Sequence, residues 1–189
     1  YPKLGNNGED LTFDVTISDF PAESMVIATP FTKCGRFYYN QKINCMRAEG
    51  EFTFGDKKYT FDKKTAMALL DWGRGVWTYD NTWYWGSLQT ELSDGSTFGF
   101  NIGYGFGDTS AASENMLFYN GKSHKLEDVT FNIPKDAKGE DDYMSPWTFT
   151  SSDKRFEMDF VPIIDRYAPA DFKIFSMIPH QVFGKFKGK

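Results

Sequence analysis

The sequence predicts an all-β protein: an antiparallel, lipocalin-like barrel that is closed, or strongly curved and partly open, with at most one or two short helices. Two observations lead to this prediction. About ten short segments alternate apolar and polar residues, as half-buried strands do, and tight-turn residues separate them. Consecutive hairpins favour an up-and-down meander, and closing such a sheet removes its exposed edges. An eight-stranded barrel of this type has room for one small ligand.

Three single strands and a hairpin are expected before residue 62. They cover residues 10–17, 25–29, 36–46 and 51–61, the last segment being a hairpin that turns at residues 55–58. Residues 62–70 are the best helix candidate because Asp62 can cap a helix there, but this segment can equally lead straight into a strand. Later hairpins are expected around residues 120–121 and 151–154, and a last strand over residues 181–186.

The third of these strands carries an unusual row of polar side chains on one face. By the period-2 rule this face contains Tyr38, Asn40, Lys42 and Asn44. Such a row usually faces solvent. The many aromatic residues around it allow a second interpretation, in which the four side chains line a wet cavity.

The central segment, residues 71–108, holds four of the five tryptophans. Asp94-Gly95 between two apolar runs predicts a two-residue type I′ turn in which Ser93 pairs with Ser96. This register places Trp85 opposite Tyr104 on an aromatic face.

The other face of the same hairpin is rich in glycine. Four glycines alternate with Asn101 between positions 99 and 107, which indicates bends, bulges or the close approach of something bulky. One interpretation is a tightly curved barrel corner covered by aromatic side chains from elsewhere. The other is a cavity wall to which Tyr84 and Asn101 supply polar contacts.

Composition limits the classes of partner and location. The net charge of −5 and the pI near 5.1 argue against nucleic acid, since phosphate binding relies on clustered Lys and Arg. Mean hydropathy is −0.51, and no run approaches the roughly 20 apolar residues of a membrane-spanning helix. Cys34 and Cys45 do not make a secreted disulfide framework. A reduced, cytoplasmic compartment is therefore expected.

Two carboxylates are candidates for catalysis. Asp71 and Arg74 stand three residues apart, which favours a structural clamp but also allows Asp71 to act as a general acid beside tryptophans. Glu114 is the second candidate. No Gly-x-Ser-x-Gly motif is present and neither histidine has metal-ligand spacing, so we expect no metal and no cofactor.

Several motifs resemble a family of bacterial and fungal proteins that is described only as a domain of unknown function. These motifs are 37–44, 71–77 (Asp-Trp-Gly-Arg-Gly-Val-Trp), 84–86, 99–103 and 114–115. That family is remotely similar to the two-lobed, lipocalin-like group that includes hydroxyneurosporene synthase, a carotenoid hydratase. The resemblance covers roughly residues 10–186. It implies that residues 1–189 form a single barrel-like lobe, the C-terminal part of a longer two-lobed protein, with possible packing against a missing N-terminal lobe. It brings no mechanism.

The sequence leaves several functions open. The first is a binding module that holds an apolar or aromatic small molecule on the aromatic wall. The second is an enzyme of hydratase, cyclase or isomerase type that uses Asp71 or Glu114 for acid catalysis on such a ligand. A glycan-active or glycan-binding protein, and a lobe without a site of its own, are further alternatives. The ligand-binding residues expected are Arg74, Trp77, Trp83, Tyr84, Trp85, Asn101, Tyr39 and Lys42.

Overall fold

A computed structural model describes residues 8–171, 173 and 176–188, and these residues form strands joined by turns and irregular segments, with no helix among them. The all-β class is thus confirmed. The described strands are β1 (Leu11–Ser18), β2 (Met25–Pro30), β3 (Phe37–Phe54), β4 (Lys57–Phe61), β5 (Met67–Val76), β6 (Tyr84–Glu91), β7 (Thr97–Tyr104), β8 (Met116–Tyr119), β9 (Lys122–Lys125), β10 (Val129–Asn132), β11 (Trp147–Ser151), β12 (Glu157–Tyr167), β13 (Ala170–Asp171), β14 (Ser176–Met177) and β15 (His180–Gly188).

The chain divides into two compact units, one ending at Lys125 and the other beginning at Leu126. The strands pair in four separate sheets, and none of these sheets closes on itself within the described ranges. A closed lipocalin-like barrel is therefore not confirmed.

The first sheet of the first unit is built around β3. This 18-residue strand pairs antiparallel with β1 and β2 on one edge and with β4 and β5 on the other. A β-bulge interrupts the β3–β5 register between Ile43 and Met46, where Cys45 has a φ of 64°. Such a bulge increases the local twist and bends the strand.

The second sheet of the first unit is the meander β6-β7-β8-β9. Its strand β7 is buried on both faces, since Phe100 and Ile102 on one face and Asn101 on the other have no exposed surface. The predicted tight turn at Asn120-Gly121 is confirmed: Tyr119 pairs with Lys122, and both turn residues have positive φ.

The β6–β7 hairpin differs by one residue from the predicted register. Leu92, not Ser93, pairs with Ser96 through an N–H to carbonyl hydrogen bond of 2.8 Å, and Gly95 has a φ of 83°. The loop therefore has three residues instead of two. Trp85 lies opposite Gly103 rather than Tyr104, because a shift of one residue moves a side chain to the other face of the partner strand.

The prediction of a helix at residues 62–70 is wrong, and the alternative, in which this segment leads straight into a strand, is confirmed. Asp62 caps a single turn, in which its Oδ1 accepts the Lys64 N–H at 2.8 Å and its carbonyl accepts the Ala66 N–H at 2.9 Å. The chain then enters β5, which pairs with β3. Long-range pairing with β3 outweighs the modest helix propensity of the segment.

The first predicted strand is formed, but its burial differs from the prediction. β1 is shifted by one residue from the expected 10–17, and most of its side chains are exposed, Phe13 and Ile17 among them. Alternation of apolar and polar residues therefore identified the strand without identifying a buried face.

The second unit contains the sheet β10-β11-β12-β15 and the short pair β13-β14. Its core is aromatic: Trp147, Phe149 and Phe160 are buried, and the rings of Trp147 and Phe160 meet edge to face at 5.0 Å. The predicted hairpin around residues 151–154 and the last strand are both confirmed.

Candidate functional site

Strand β3 carries a buried lysine, Lys42. Its Nζ is 3.0 Å from Asp71 Oδ2 and 3.2 Å from Glu114 Oε2, and only 3% of the residue is exposed. The ammonium also lies 4.5 Å from the ring centre of Trp85. Buried charges in proteins are almost always paired, and here two carboxylates and an indole face surround one cation. We refer to Lys42, Asp71 and Glu114 as the ion cluster.

The strand registers explain how the ion cluster assembles. Lys42 on β3 is the direct cross-strand partner of Asp71 on β5, so this pair follows from the pairing of two long strands. Glu114 comes from the segment just before β8, in the second sheet. The ion cluster therefore joins the two sheets of the first unit.

Asn101 on β7 orients the groups around the ion cluster. Its side-chain oxygen accepts the Trp85 Nε1–H at 2.7 Å. Its Nδ2 donates to the backbone carbonyl of Glu114 at 3.0 Å and to the Glu114 carboxylate at 3.2 Å. Because Asn101 is fully buried, these bonds hold the carboxylate and the indole in one arrangement.

The glycine-rich face has a direct steric cause. A Cβ at Gly103 would lie 2.7 Å from Glu114 Oε1, and one at Gly99 would lie 2.7 Å from Cys45 Sγ. On β5, a Cβ at Gly73 would overlap the Tyr38 hydroxyl. For Gly99 and Gly103 the predicted close approach is confirmed, and the approaching side chains are a thiol and a carboxylate.

A small cavity borders the ion cluster. Its volume is ≈ 20 Å³, which is enough for a water molecule and far below the 300–1,000 Å³ typical of drug-sized ligands. The residues that line it are Ile27, Thr29, Tyr38, Asn40, Tyr104, Phe106, Thr109 and Glu114. Of the two carboxylates in the ion cluster, Glu114 is the one that lines this cavity.

Asn40 is the unusual member of the cavity wall. The residue is 2% exposed, and its Oδ1 is buried without a hydrogen-bond partner among the described residues. Tyr38 and Asn40 line the cavity, and Lys42 and Asn44 are buried on the same strand. The interpretation of the polar row on β3 as a solvated face is therefore wrong, and two of its four side chains line the cavity.

An aromatic cluster continues from the cavity wall. We define it as Phe31, Tyr38, Trp77, Trp83 and Phe106, in which Phe106 meets the other four rings at centroid distances of 5.0–5.9 Å. Tyr38 and Phe106 also line the cavity, whereas Trp77 and Trp83 are about half exposed. The cavity and the aromatic cluster therefore share Tyr38 and Phe106.

The electrostatics of the cavity wall are negative. Burial raises the pKa of the Tyr38 hydroxyl, and the negative charges of Asp71 and Glu114 raise it further. Burial also raises the pKa of the Cys45 thiol to about 11, so this thiol is protonated at neutral pH and is a poor nucleophile. Both cysteines are free, with Cys34 exposed.

The structure brings most of the predicted site residues together. Asp71, Glu114, Lys42, Trp85 and Asn101 form or support the ion cluster. Trp77 and Trp83 belong to the aromatic cluster.

Three predicted residues lie elsewhere. The expected Asp71–Arg74 clamp is wrong, because residues three apart on a strand point to opposite faces and Asp71 pairs with Lys42 instead. Arg74 pairs in register with Tyr39, whose ring packs against Trp72 at 6.0 Å. Tyr84 lies beside Tyr104 at 5.2 Å, and not on the face of Asn101.

Sequence reasoning missed several cavity residues. Asn40 and Tyr38 were signalled by the polar row on β3 but were not selected. Nothing in the local sequence marks Thr29, Thr109 or Phe106 as neighbours, since strand β2 and the segment after β7 meet only through tertiary pairing.

Glycoside hydrolysis and metal chemistry gain no support from this geometry. Asp71 and Glu114 oxygens lie within about 6 Å of one another, but both carboxylates are paired with the same Lys42 ammonium, so neither is free for the separate acid and base roles of that reaction. Within the described ranges, no group of three or more His, Cys, Asp or Glu side chains is placed to hold a metal ion. In the same ranges, no helix has the length and apolarity needed to cross a bilayer.

Comparison with known proteins gives one positive result. A protein-family model described as a domain of unknown function, DUF2804, matches residues 1–189. Neither a curated protein nor a solved structure matches the chain.

Proposed function

The chain belongs to the DUF2804 family, and we propose that it binds a small molecule with an apolar or aromatic body and a polar end. The polar end enters the cavity, where Asn40 Oδ1 and the Glu114 carboxylate accept hydrogen bonds. The body lies on the aromatic cluster. The observation that carries this proposal is Asn40: the residue lines the cavity, and its buried Oδ1 has no hydrogen-bond partner among the described residues, although buried amide oxygens nearly always have one.

The size of the cavity decides which part of the ligand it accepts. A volume of ≈ 20 Å³ admits a hydroxyl or amino group but not a ring. The half-exposed rings of Trp77 and Trp83 offer a flat surface for the remainder, and aromatic stacking there adds about 0.5–1.5 kcal/mol beyond area burial. The proposed ligand is therefore only partly enclosed, unlike the ligand of a closed barrel.

Tryptophan fluorescence tests the proposal with small probes. Benzyl alcohol has both required parts, and toluene lacks the polar end, so we expect benzyl alcohol to bind more tightly and to change the emission of the aromatic cluster. Asn40→Leu removes the acceptor and is expected to reduce this preference. The matched control is Asn132→Leu, an exposed position in the second unit. Absence of any spectral change with either probe up to about 10 mM contradicts the proposal.

Catalysis remains the second candidate, and one observation favours Glu114 over Asp71 for it. Only Glu114 of the two lines the cavity. An ion-paired carboxylate can accept a proton but has none to donate, so isomerase-type proton abstraction fits better than acid-driven hydration or cyclisation. For any ligand found to be converted, Glu114→Gln should abolish turnover even when the ligand is saturating; unchanged turnover contradicts this role. The cytoplasmic location and the packing against a second lobe stay predictions.

A further inference from the structure

The charges around the cavity also indicate the charge of the ligand's polar end. Asp71 and Glu114 together carry two negative charges, and Lys42 supplies the single cation that pairs with either of them among the described residues. The ion cluster therefore carries a formal net charge of −1, shared between Glu114, which lines the cavity, and Asp71, whose side chain is 38% exposed. Lys125 and Arg36 bond to backbone carbonyls nearby, those of Asn115 and Trp77, but both cations are in contact with solvent, which screens them.

We infer that the polar end of the ligand is a primary ammonium group, rather than a hydroxyl or a carboxylate. This inference rests on the proposed function and narrows its ligand class. The ammonium would donate N–H bonds to Asn40 Oδ1 and to the Glu114 carboxylate, which belong to two residues that line the cavity. Charge-assisted hydrogen bonds of this kind are about twice as strong as neutral ones.

Three further features agree with a cation. The raised pKa of Tyr38 reports the same negative field at the cavity wall, because Asp71 and Glu114 contribute to it. The aromatic rings of the cluster present negative π-faces, which attract cations within about 6 Å. Asn40 offers a buried acceptor that no donor among the described residues uses.

Cavity size distinguishes between kinds of ammonium ion. A primary ammonium is close to the size of a water molecule and fits a volume of ≈ 20 Å³. A trimethylammonium group is several times larger and has no N–H donors. It should therefore be excluded from the cavity and bind, if at all, only on the exposed indoles.

Four probes with one ring and different end groups test the inference: benzylamine, benzyl alcohol, benzoate and benzyltrimethylammonium. Binding is measured by tryptophan fluorescence of the full chain at pH 7. We expect benzylamine to bind at least about fivefold more tightly than benzyl alcohol, with benzoate and benzyltrimethylammonium weaker than both.

Two substitutions connect this preference to the ion cluster. Glu114→Gln removes a charge with little change in shape, and we expect the ratio of amine to alcohol affinity to fall to within about twofold. If Glu114→Gln does not fold, Asp71→Asn is the second variant, since it removes one negative charge from the same ion cluster at a more exposed position. Glu51→Gln, whose carboxylate pairs with Lys58 on the surface, is the control that leaves the ratio unchanged.

Each outcome decides the question. Equal binding of amine and alcohol, or tighter binding of benzoate, overturns the inference while the proposed function stands. Binding of benzyltrimethylammonium as tight as benzylamine overturns the placement of the ammonium in the cavity. Binding of none of the four probes overturns the proposed function itself. An unchanged ratio in both Glu114→Gln and Asp71→Asn overturns the role of the ion cluster.

Discussion

Replacing Lys42 by Met tests whether the ion cluster stabilises the first unit. Methionine keeps much of the length and apolar volume of lysine and removes the ammonium. Asp71 and Glu114 then have no shared cation, and Trp85 loses the charge that lies 4.5 Å from its ring centre. We expect the free energy of unfolding to fall by about 3 kcal/mol.

This magnitude follows from the exposure of each partner. Removing one member of a buried ion pair costs about 3–5 kcal/mol, because the other charge stays buried without compensation. The Asp71 side chain is 38% exposed, so water replaces much of what it loses and its share approaches the ~0–1 kcal/mol of a surface pair. Most of the loss comes from Glu114, which is 20% exposed, and the cation–π contact adds about 0.5–1 kcal/mol.

Urea unfolding followed by tryptophan fluorescence measures this change. Four tryptophans lie in the first unit and Trp147 lies in the second, so a Trp147→Phe background reports the first unit alone. A probe of one unit is needed because two units do not have to unfold as a single two-state system. The matched control is Lys58→Met, whose partner Glu51 is also exposed, and its expected loss is below about 0.5 kcal/mol.

A loss for Lys42→Met no larger than that of Lys58→Met would refute the reasoning, since the carboxylates would then be as well solvated as surface groups. Adding Glu114→Gln to Lys42→Met provides a second check. If the loss comes from an uncompensated carboxylate, the added substitution should recover about 1–2 kcal/mol. A purely additive further loss would assign the effect to packing instead.

Two other sites make predictions of a different kind. Gly73→Ala should destabilise the first unit by about 1–3 kcal/mol, because its Cβ would overlap the Tyr38 hydroxyl, and an unchanged urea midpoint would contradict that close approach. Exposed Cys34 should react with a maleimide in the folded protein, whereas Cys45 should react only after unfolding; equal labelling rates would show that Cys45 is accessible. The folded Cys45 thiol keeps its proton up to a pKa of about 11, while the unfolded one loses it near 9.0, so stability should fall as pH rises between these values. Cys45→Ala should remove that part of the slope.

The fold could be predicted as far as local rules reach. Alternation located the strands, and Asn120-Gly121 specified its own turn because both residues accept positive φ. Asp94-Gly95 did not specify its loop length, because the same pair fits a two-residue loop or the end of a three-residue loop. The pairing of Leu92 with Ser96 decides between them, and that choice moves Trp85 to the face of Asn101.

The site could be predicted only in part for the same reason. Lys42 and Glu114 were identifiable as charged residues among aromatic ones, but their partnership depends on how the two sheets of the first unit meet. The pairing of Asp71 with Lys42 requires the β3–β5 register, which no spacing in the sequence reveals. Nearness along the chain favoured Arg74 instead, although strand geometry places it on the opposite face.

Substitutions of Lys42 and Asn40, which lie two residues apart on β3, should have different effects on stability. Lys42 satisfies two carboxylates, so its removal weakens the first unit whatever the ligand. Asn40 Oδ1 satisfies nothing in the described protein, so Asn40→Leu, with similar volume, should be neutral or stabilising while it weakens probe binding. A residue that lowers stability and improves binding is typical of a functional site. If Asn40→Leu instead lowers the free energy of unfolding as much as Lys42→Met does, the whole polar row on β3 is structural. Asn40 then no longer supports the cavity as a binding site.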